Sequence, residues 1–452
     1  MTIDRRRLIA ISALTGALPA AAWATPAAAA PLAAFGVDAT ELGVRAGGGA
    51  DQSRMLQAAI DRAAGARVPL MLGPGDYHAG GLVLPSGAQI VGVRGVTRLI
   101  FANGSALIGA SRADHVTLAG LVIDGAGRPT DINGLIHFEH CDDLRISDCE
   151  IHNAGRTAIR LEAVQGVISG NTIIKAGDVA LYSVDARGLS IQNNVVRGAG
   201  NGGILVHRST VGDDGTLIVD NRIEDITNVA GGSGQFGNAI NVFRAGNVIV
   251  RGNRISRAAF SAVRGNSASN IQIAGNTATE IGEVAIYSEF GFEGAVIANN
   301  TVDGAAIGVA VANFNEGGRL AVVQGNLIRN LKPRRPAGTD PNDGAGIGIA
   351  IEADAAVTGN VIENAPHSGI SIGWGHYMRD ISVVGNVVRN APLGITVSVT
   401  NGAGNAVIAN NLISGASRGA IVGMDHARQV TGDLTAEPQR FANLQISGNR
   451  VR

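Results

Sequence analysis

The chain is poor in charge, aromatic rings and cysteine, and each shortage narrows what it can be. Only 16% of its 452 residues are charged and the formal net charge is −1, which argues against a general nucleic-acid binder. Aromatic residues make up 4% beside 64 glycines, a balance that suits thin strands and tight bends. Cys141 and Cys149 are the only cysteines. They are predicted to flank one strand, so we interpret them as free thiols and not as a disulfide framework.

A long uninterrupted apolar run is also missing. The run from Leu8 to Ala22 is broken by Gly16 and Pro19 and is too short for a comfortable membrane span. Arginines precede it at Arg5–Arg7, and paired arginines before a weakly apolar core are typical of a twin-arginine signal. An ordinary secretory signal is the alternative. Residues 1–30 are therefore predicted to be a signal peptide, with the mature chain periplasmic or secreted and without an integral membrane span.

What the chain has instead is a repeated asparagine, usually preceded by glycine and flanked by apolar alternation. Its positions are Asn171, Asn194, Asn221, Asn253, Asn276, Asn300, Asn326, Asn360, Asn386, Asn411 and Asn449. Subtraction gives intervals of 23 to 38 residues. The shortest interval is 23 residues, and most of the others are longer by irregular amounts. This pattern predicts a solenoid of stacked coils with inserted loops.

Three short alternating segments per repeat predict three strands, each with one buried face. An asparagine at the same bend of every coil would stack on the next, so that buried amides satisfy one another along the column. The prediction is an all-β, single-domain parallel β-helix of about 23 or more residues per coil over residues 82–452. The alternative is an unrelated Gly-rich β-sandwich. The sequence carries no signal for oligomeric state.

The segment 31–81 is predicted to lead into the first coil through a helix at Ala50–Gly65, capped by Asp51 or Ser53 and burying Leu56, Ile60 and Ala63. The helix and the following Leu-Gly-Pro-Gly-Asp-Tyr resemble the opening segment of the pectin-lyase-like right-handed β-helix superfamily. That resemblance implies right-handed coils and a helix that covers their first edge. With the twin-arginine pattern and the asparagine repeat, the chain also resembles the TAT-translocated repetitive protein family. The superfamily holds lyases, hydrolases, epimerases and adhesins, so fold alone does not decide activity.

Four inserted loops are predicted to border one strand of the coil and to wall a groove over it, where function usually lies. They are Gly212–Gly215, Gly231–Phe236, Lys332–Gly344 and Asp433–Arg440. The outward positions of that strand carry large polar or aromatic residues over seven successive coils. The candidate binding residues are His137, Arg160, Arg208, Asn241, Phe243, Arg244, Asn266, Tyr287 and Glu289. Beyond these coils the columns turn to Ala, Ser and Thr.

The candidate catalytic residues are His207, Tyr182, Arg264, Glu139 and Glu162. Arginines beside a Tyr or His base fit β-elimination of a uronate, since the cation neutralises the substrate carboxylate while the base removes the proton α to it. An exported polysaccharide lyase acting on an acidic glycan is favoured. Glu139 and Glu162 would alternatively serve as a hydrolase pair, a calcium site or a structural pair. A non-catalytic envelope or glycan-binding module is the other alternative, and no cofactor or His/Cys metal site is predicted.

Overall fold

The structure is a computed structural model that describes residues 36–452 except 48, 132–133, 233, 314–316 and 340–342. The predicted signal peptide, residues 1–30, lies outside the described residues. Within them, one α-helix, Ser53–Gly65, and two 3-10 helices, Ala39–Leu42 and Gly375–Tyr377, accompany three long sheets. No described helix combines the length and the apolar character needed to cross a bilayer.

Each complete coil contributes one strand to each sheet. Apart from the last strand of sheet 3, neighbouring strands of a sheet come from successive coils and run parallel. The strands of sheet 1 are Val37–Asp38, Leu70–Met71, Gln89–Val91, Thr117–Ala119, Leu144–Ser147, Gly166–Ser169, Ser190–Gln192, Leu217–Val219, Ile249–Arg251, Ile271–Ala274, Glu293–Ala298, Arg319–Gln324, Ala355–Thr358, Ile381–Val384, Ala406–Ala409 and Leu444–Ser447. The strands of sheet 2 are Gly75–Ala79, Thr97–Phe101, Val122–Asp124, Glu150–His152, Thr172–Ala176, Val195–Ala199, Arg222–Ile226, Arg254–Ala258, Thr277–Thr279, Thr301–Asp303, Leu327–Arg329, Val361–Glu363, Val387–Arg389, Leu412–Ser414 and Arg450–Val451. The strands of sheet 3 are Leu82–Val83, Ile108–Ser111, Ile136–Glu139, Ile159–Glu162, Val179–Val184, Gly202–Asp213, Asn238–Gly246, Val263–Asn266, Val284–Glu289, Ile307–Ala312, Ile347–Ile351, Ser368–Ile372, Leu393–Ser398, Gly419–Asp425 and Arg428–Asp433. The predicted parallel β-helix is confirmed.

The core is a set of apolar columns inside the coil. In sheet 2, Ile151, Ile173, Val196, Ile223 and Ile255 pair one above the next and are all buried. Each such side chain contributes about 1.5–3 kcal/mol through burial. Because every coil buries the same few positions, the core grows along one axis without widening.

The asparagine column is a continuous hydrogen-bonded ladder between sheets 1 and 2. From Asn171 to Asn411, each Nδ2 donates to Oδ1 of the next ladder asparagine at 2.9–3.0 Å. The residue before the asparagine, not the asparagine itself, often adopts positive φ, as Gly170 does at 69°. The column starts above Cys149, whose backbone N–H donates to Asn171 Oδ1 at 3.0 Å. Both cysteines are buried and free, as the sequence predicts.

Replacing Asn276 by leucine is expected to lower the free energy of unfolding by about 1–3 kcal/mol. Its amide donates to Asn300 Oδ1 and Val250 O, both at 3.0 Å, and its Oδ1 accepts from Asn253 Nδ2 at 3.0 Å. Chemical denaturation measures the change. Gln272→Leu, on the exposed face of the same coil, is the matched control and should stay within about 0.5 kcal/mol. Equal midpoints for Asn276→Leu and wild type would contradict the ladder's role.

The helix Ser53–Gly65 lies at the N-terminal end of the solenoid, where it packs against Leu70–Met71 and Gln89–Val91 of sheet 1, Gly75–Ala79 of sheet 2 and Leu82–Val83 of sheet 3. It buries Leu56, Ala59, Ile60 and Ala63, which include the three residues predicted from the sequence. Asp51 Oδ1 accepts from the Ser53 N–H at 2.8 Å. The stacked sheets begin earlier in the chain than residue 82, where the sequence placed the start of the β-helix. Val37–Asp38 already pairs with Leu70–Met71 in sheet 1.

The opposite end of sheet 3 is closed by an antiparallel strand. Arg428–Asp433 turns back and pairs with Gly419–Asp425, where the sequence led us to expect only a loop at 433–440. A hairpin at this position covers the edge that a growing parallel sheet would otherwise expose to another chain.

Candidate functional site

The outward face of sheet 3 carries two columns of side chains in the predicted register. In the first column His137, Arg160, Tyr182, Leu205, Asn241, Arg264 and Tyr287 pair in succession. In the second, Glu139, Glu162, Val184, His207, Phe243, Asn266 and Glu289 do the same. Successive members of a column therefore lie about 4.8 Å apart.

A cavity of about 550 Å³ lies over the middle of these columns. Its lining residues are Arg156, Thr157, Arg160, Asp178, Val179, Tyr182, Leu205, His207, Gln235, Phe236, Asn241, Phe243, Arg264 and Asn266. Gln235 and Phe236 come from the predicted wall loop Gly231–Phe236. The turn residues Arg156 and Asp178 were not among the sequence candidates, because a turn has no period that reveals where its side chains point.

Tyr182 and His207 form a hydrogen-bonded pair in the cavity lining. Tyr182 Oη lies 3.2 Å from His207 Nδ1, and the rings meet edge to face at 5.0 Å. Burial lowers the pKa of His207 to about 4 and raises the pKa of Tyr182. At neutral pH the imidazole is therefore uncharged and the phenol keeps its proton. His207 Nε2 is buried without a hydrogen-bond partner among the described residues, as is Asn241 Oδ1 in the next coil.

Arg264 is held by a buried ion pair. Its Nε and Nη2 donate to the two carboxylate oxygens of Glu289 at 2.7 and 2.9 Å, and its Nη1 donates to Gly234 O at 2.6 Å. Asn266 Nδ2 donates to the same carboxylate at 2.8 Å. The Glu289 side chain is only 3% exposed. Although Glu289 was expected to face ligand, it instead holds Arg264 and Asn266 in place, and Arg264 anchors the wall loop.

Glu139 and Glu162 are neighbours, as predicted, but lie outside the cavity. Arg160 Nε donates to Glu162 Oε1 at 2.6 Å, and His137 Nε2 lies 3.6 Å from the same oxygen. Ser111 donates to Glu139 at 2.6 Å, which holds the pKa of that carboxyl below its usual range. One ligand atom each from His137, Glu139 and Glu162 lies within 4.8 Å of the others. The three could hold a cation, with Arg160 competing for Glu162.

Arg208, Arg244 and Tyr287 also lie outside this cavity. The sheet 3 strand Gly202–Asp213 extends into the first two residues of the predicted loop Gly212–Gly215, with a register shift between His207 and Gly212. Arg208 directly follows His207 in the chain, and Arg244 directly follows Phe243. Arg244 Nη1 donates to Ser209 O at 3.0 Å, and its guanidinium lies 4.7 Å from the Phe243 ring centroid. Arg208 Nη1 donates to Ala186 O at 3.5 Å, and neither arginine lines the cavity of the Tyr182–His207 pair.

A family model described as "Right handed beta helix region" matches residues 91–212 and 134–328. Among solved structures, the chain is similar to the pre-mature gene product 12 of bacteriophage phi29, with a TM-score of 0.54, 17% identity, and 86% of this chain and 54% of that one covered. An N-terminal fragment of the same phage protein gives a TM-score of 0.52 and 14% identity, covering 93% of this chain and 71% of the fragment. Tailspike protein 3 of bacteriophage CBA120 gives 0.50 and 13% identity, covering 83% and 57%.

The chain thus spans about half, 54%, of the phi29 protein it matches. At such identities these likenesses show the fold alone. No curated protein sequence matches the chain. The narrower resemblance to TAT-translocated repetitive proteins stays a prediction.

Proposed function

From the premise that this chain belongs to the right-handed β-helix family, we propose that it binds an acidic polysaccharide along sheet 3 and cleaves it by β-elimination. The observation that carries the proposal is the Tyr182–His207 pair, joined at 3.2 Å in the lining of a 550 Å³ cavity. A neutral imidazole beside a protonated phenol is a base next to an acid, and β-elimination needs both on one substrate.

Binding of the acidic unit is supported by cations and amides around the pair. Arg156 is exposed and makes no side-chain hydrogen bond or ion pair with any described residue. It is therefore the cation best able to accept a new carboxylate. Arg160 lies 5.1 Å from the Tyr182 ring centroid, and Asn241 offers an amide in the next coil. Charge-assisted hydrogen bonds to a carboxylate are about twice as strong as neutral ones.

The proposed chemistry uses each member of the pair once. With the imidazole proton on Nδ1 and donated to Tyr182 Oη, Nε2 keeps a lone pair. Once glycan binding uncovers this buried atom, Nε2 takes the proton α to the substrate carboxylate. The electron pair of that C–H bond forms a C=C bond as the glycosidic C–O bond breaks. The Tyr182 phenol then protonates the leaving oxygen. Arg156 and Asn241 stabilise the charge that develops on the carboxylate during proton removal.

A hydrolase using Glu139 and Glu162 has less support. A glycosidase acid needs a raised pKa so that it can donate a proton to the leaving group, and the pKa of Glu139 is lowered by the Ser111 hydrogen bond. Glu162 is paired with Arg160 at 2.6 Å. Both carboxylates fit a structural role or a cation better than acid catalysis.

A non-catalytic glycan-binding module is the second candidate function. It is favoured by the guanidinium groups stacked on aromatic rings, Arg160 on Tyr182 and Arg264 on Tyr287, each at 5.1 Å. Such stacked pairs present flat, polar-edged platforms to a sugar ring and need no bond-breaking group.

A panel of acidic and neutral polysaccharides tests the proposal. We expect one acidic polymer to yield products with the ultraviolet absorbance of an unsaturated uronate, together with new reducing ends. New reducing ends without that absorbance would indicate hydrolysis and overturn the elimination. Retention of a polymer without any product would favour the binding module.

The proposed site of action is outside the cytoplasm, in the periplasm or after secretion. The support is the arginine-led N-terminal segment, whose paired arginines and weak apolar core are typical of twin-arginine export. An acidic polysaccharide of the cell envelope or surroundings is the partner that such a location makes accessible.

A further inference from the structure

Sheet 3 carries a second cavity, of about 430 Å³, beyond the Tyr182–His207 pair. Its floor continues the first column: Tyr287 is followed in register by Ala310, Ala350, Ser371 and Thr396. From Asn241 to Ser371 there are five steps along this column, or about 24 Å at sheet spacing. One extended glycan lying on the column could therefore reach both cavities.

A ridge of paired charges separates the two cavities. Arg264 lines the first and Tyr287 the second, with the guanidinium 5.1 Å from the Tyr287 ring centroid. Arg335 of the Lys332–Gly344 loop lines the second cavity and donates to buried Glu283 Oε1 at 2.7 Å. The loop is thereby tied to the sheet at the boundary, so the cavities are distinct sites on one face.

The two cavities differ in charge. The lining of the first includes one acid, Asp178, and three arginines. Arg160 and Arg264 are already paired with Glu162 and Glu289, so Arg156 is the arginine left to meet a ligand. The lining of the second includes one arginine, Arg335, which lies 2.7 Å from Glu283 and 3.4 Å from Asp343. Asp343 and Glu352 also line this second cavity. Among the described residues of its lining, acids outnumber the one arginine, and that arginine is already paired with Glu283 and Asp343. The negative charge of a carboxylate-bearing sugar is therefore disfavoured there.

The second cavity offers apolar and aromatic surface instead. Ile307, Ile347 and Met424 line it beside small floor residues. Trp374 also lines this cavity, and 39% of its surface is exposed. The centroid of its ring lies 5.3 Å from that of His426, in an edge-to-face arrangement. An indole over a floor of small side chains is a surface on which the C–H face of an uncharged sugar ring can stack.

We propose that the second cavity binds an uncharged sugar unit of the same glycan whose acidic unit occupies the first. The substrate is then a heteropolymer that contains both acidic and neutral units. This inference rests on the proposed function, since it assigns the glycan's acidic unit to the cavity of Tyr182 and His207.

Trp374 provides a direct probe. The chain has two tryptophans, so a Trp23→Phe background leaves Trp374 as the sole indole. Three oligosaccharides of equal length, each able to span both cavities, are titrated: an oligogalacturonate, a mixed rhamnose–galacturonate oligomer and a cello-oligosaccharide. We expect the mixed oligomer to shift the Trp374 emission and to lose about tenfold in affinity in Trp374→Ala, the scale of one aromatic contact. The oligogalacturonate should bind with neither effect.

Val361→Ala is the matched control, since Val361 is equally exposed at 39% on sheet 2 and should change no affinity. Trp374→Phe, which keeps an aromatic ring, should retain most binding and guards against misfolding of the alanine variant. The inference is overturned if the oligogalacturonate binds but the mixed oligomer leaves Trp374 unaffected, or if both shift it equally. Should no acidic oligomer bind while the neutral one shifts Trp374, the proposed function fails and the neutral site remains.

Discussion

Replacing His207 by phenylalanine is expected to reduce turnover of the acidic glycan by about 10²–10⁴-fold, the range of one lost general base, while leaving its binding in place. Phenylalanine keeps an aromatic ring between Tyr182 and Phe243, which contact His207 at ring-centroid distances of 5.0 and 5.5 Å. It removes Nδ1 and Nε2, and with them the partner of Tyr182 and the proposed base. Product absorbance measures turnover, and calorimetry measures affinity.

His152→Phe is the control for this substitution, because His152 lies on sheet 2, away from the groove, beside Glu150. It should leave both turnover and affinity unchanged. Tyr182→Phe should resemble His207→Phe in turnover, since the leaving oxygen loses its acid. Undiminished turnover in His207→Phe would exclude His207 as the base, and a parallel loss of affinity would make it a binding residue.

The same residue sets the expected pH dependence. Burial lowers the pKa of His207 to about 4, so the imidazole is a neutral base throughout pH 5–8, where an exposed histidine would become protonated on the acid side of about 6.5. Protonation removes the base, so turnover should fall only as the pH drops through about 4. Nuclear magnetic resonance titration of His207, assigned by its absence in His207→Phe, measures this directly. A pKa near that of exposed histidine would contradict the buried pair.

Replacing Arg264 by alanine is expected to destabilise the fold by about 3–5 kcal/mol, because it leaves a buried carboxylate without its cation. Glu289 would retain only Asn266 as a donor, and Gly234 O in the wall loop would lose one of its two donors, keeping Asn238 Nδ2. Urea denaturation near neutral pH measures the change. Because the lost interaction is a buried charge pair, salt should alter the result little.

Two variants sharpen the Arg264 experiment. Arg329→Ala removes the arginine of a surface pair with Asp303 at 2.9 Å and should cost less than about 1 kcal/mol. The double variant Arg264→Met, Glu289→Leu removes both buried charges and should recover most of the stability lost in Arg264→Ala. If the single and double variants are equally unstable, the loss comes from packing and not from the unpaired carboxylate.

The repeat in the sequence was sufficient for the solenoid and for the register of sheet 3. A buried asparagine every coil marks the bend, and the period of two in the following strands assigns each side chain to the inner or outer face. This placed Tyr182, His207 and Asn241 on one face before any distance was known. Local periodicity carries this information because neighbouring coils repeat the same contacts.

Only the tertiary structure decided which outward residues a ligand could reach. Outward position predicts exposure, yet the Glu289 side chain is 3% exposed, and its carboxylate is bound by Arg264 and Asn266. The contacts that hold the loops on sheet 3 do not recur from coil to coil. Arg264 binds Gly234, 30 residues away in the chain, and Arg335 binds Glu283, 52 residues away. Arg156 and Trp374 join their cavities for the same reason, since turns and loops dock by individual contacts that no period encodes. The sequence by itself determined the columns, and the docking of loops on those columns determined the cavities.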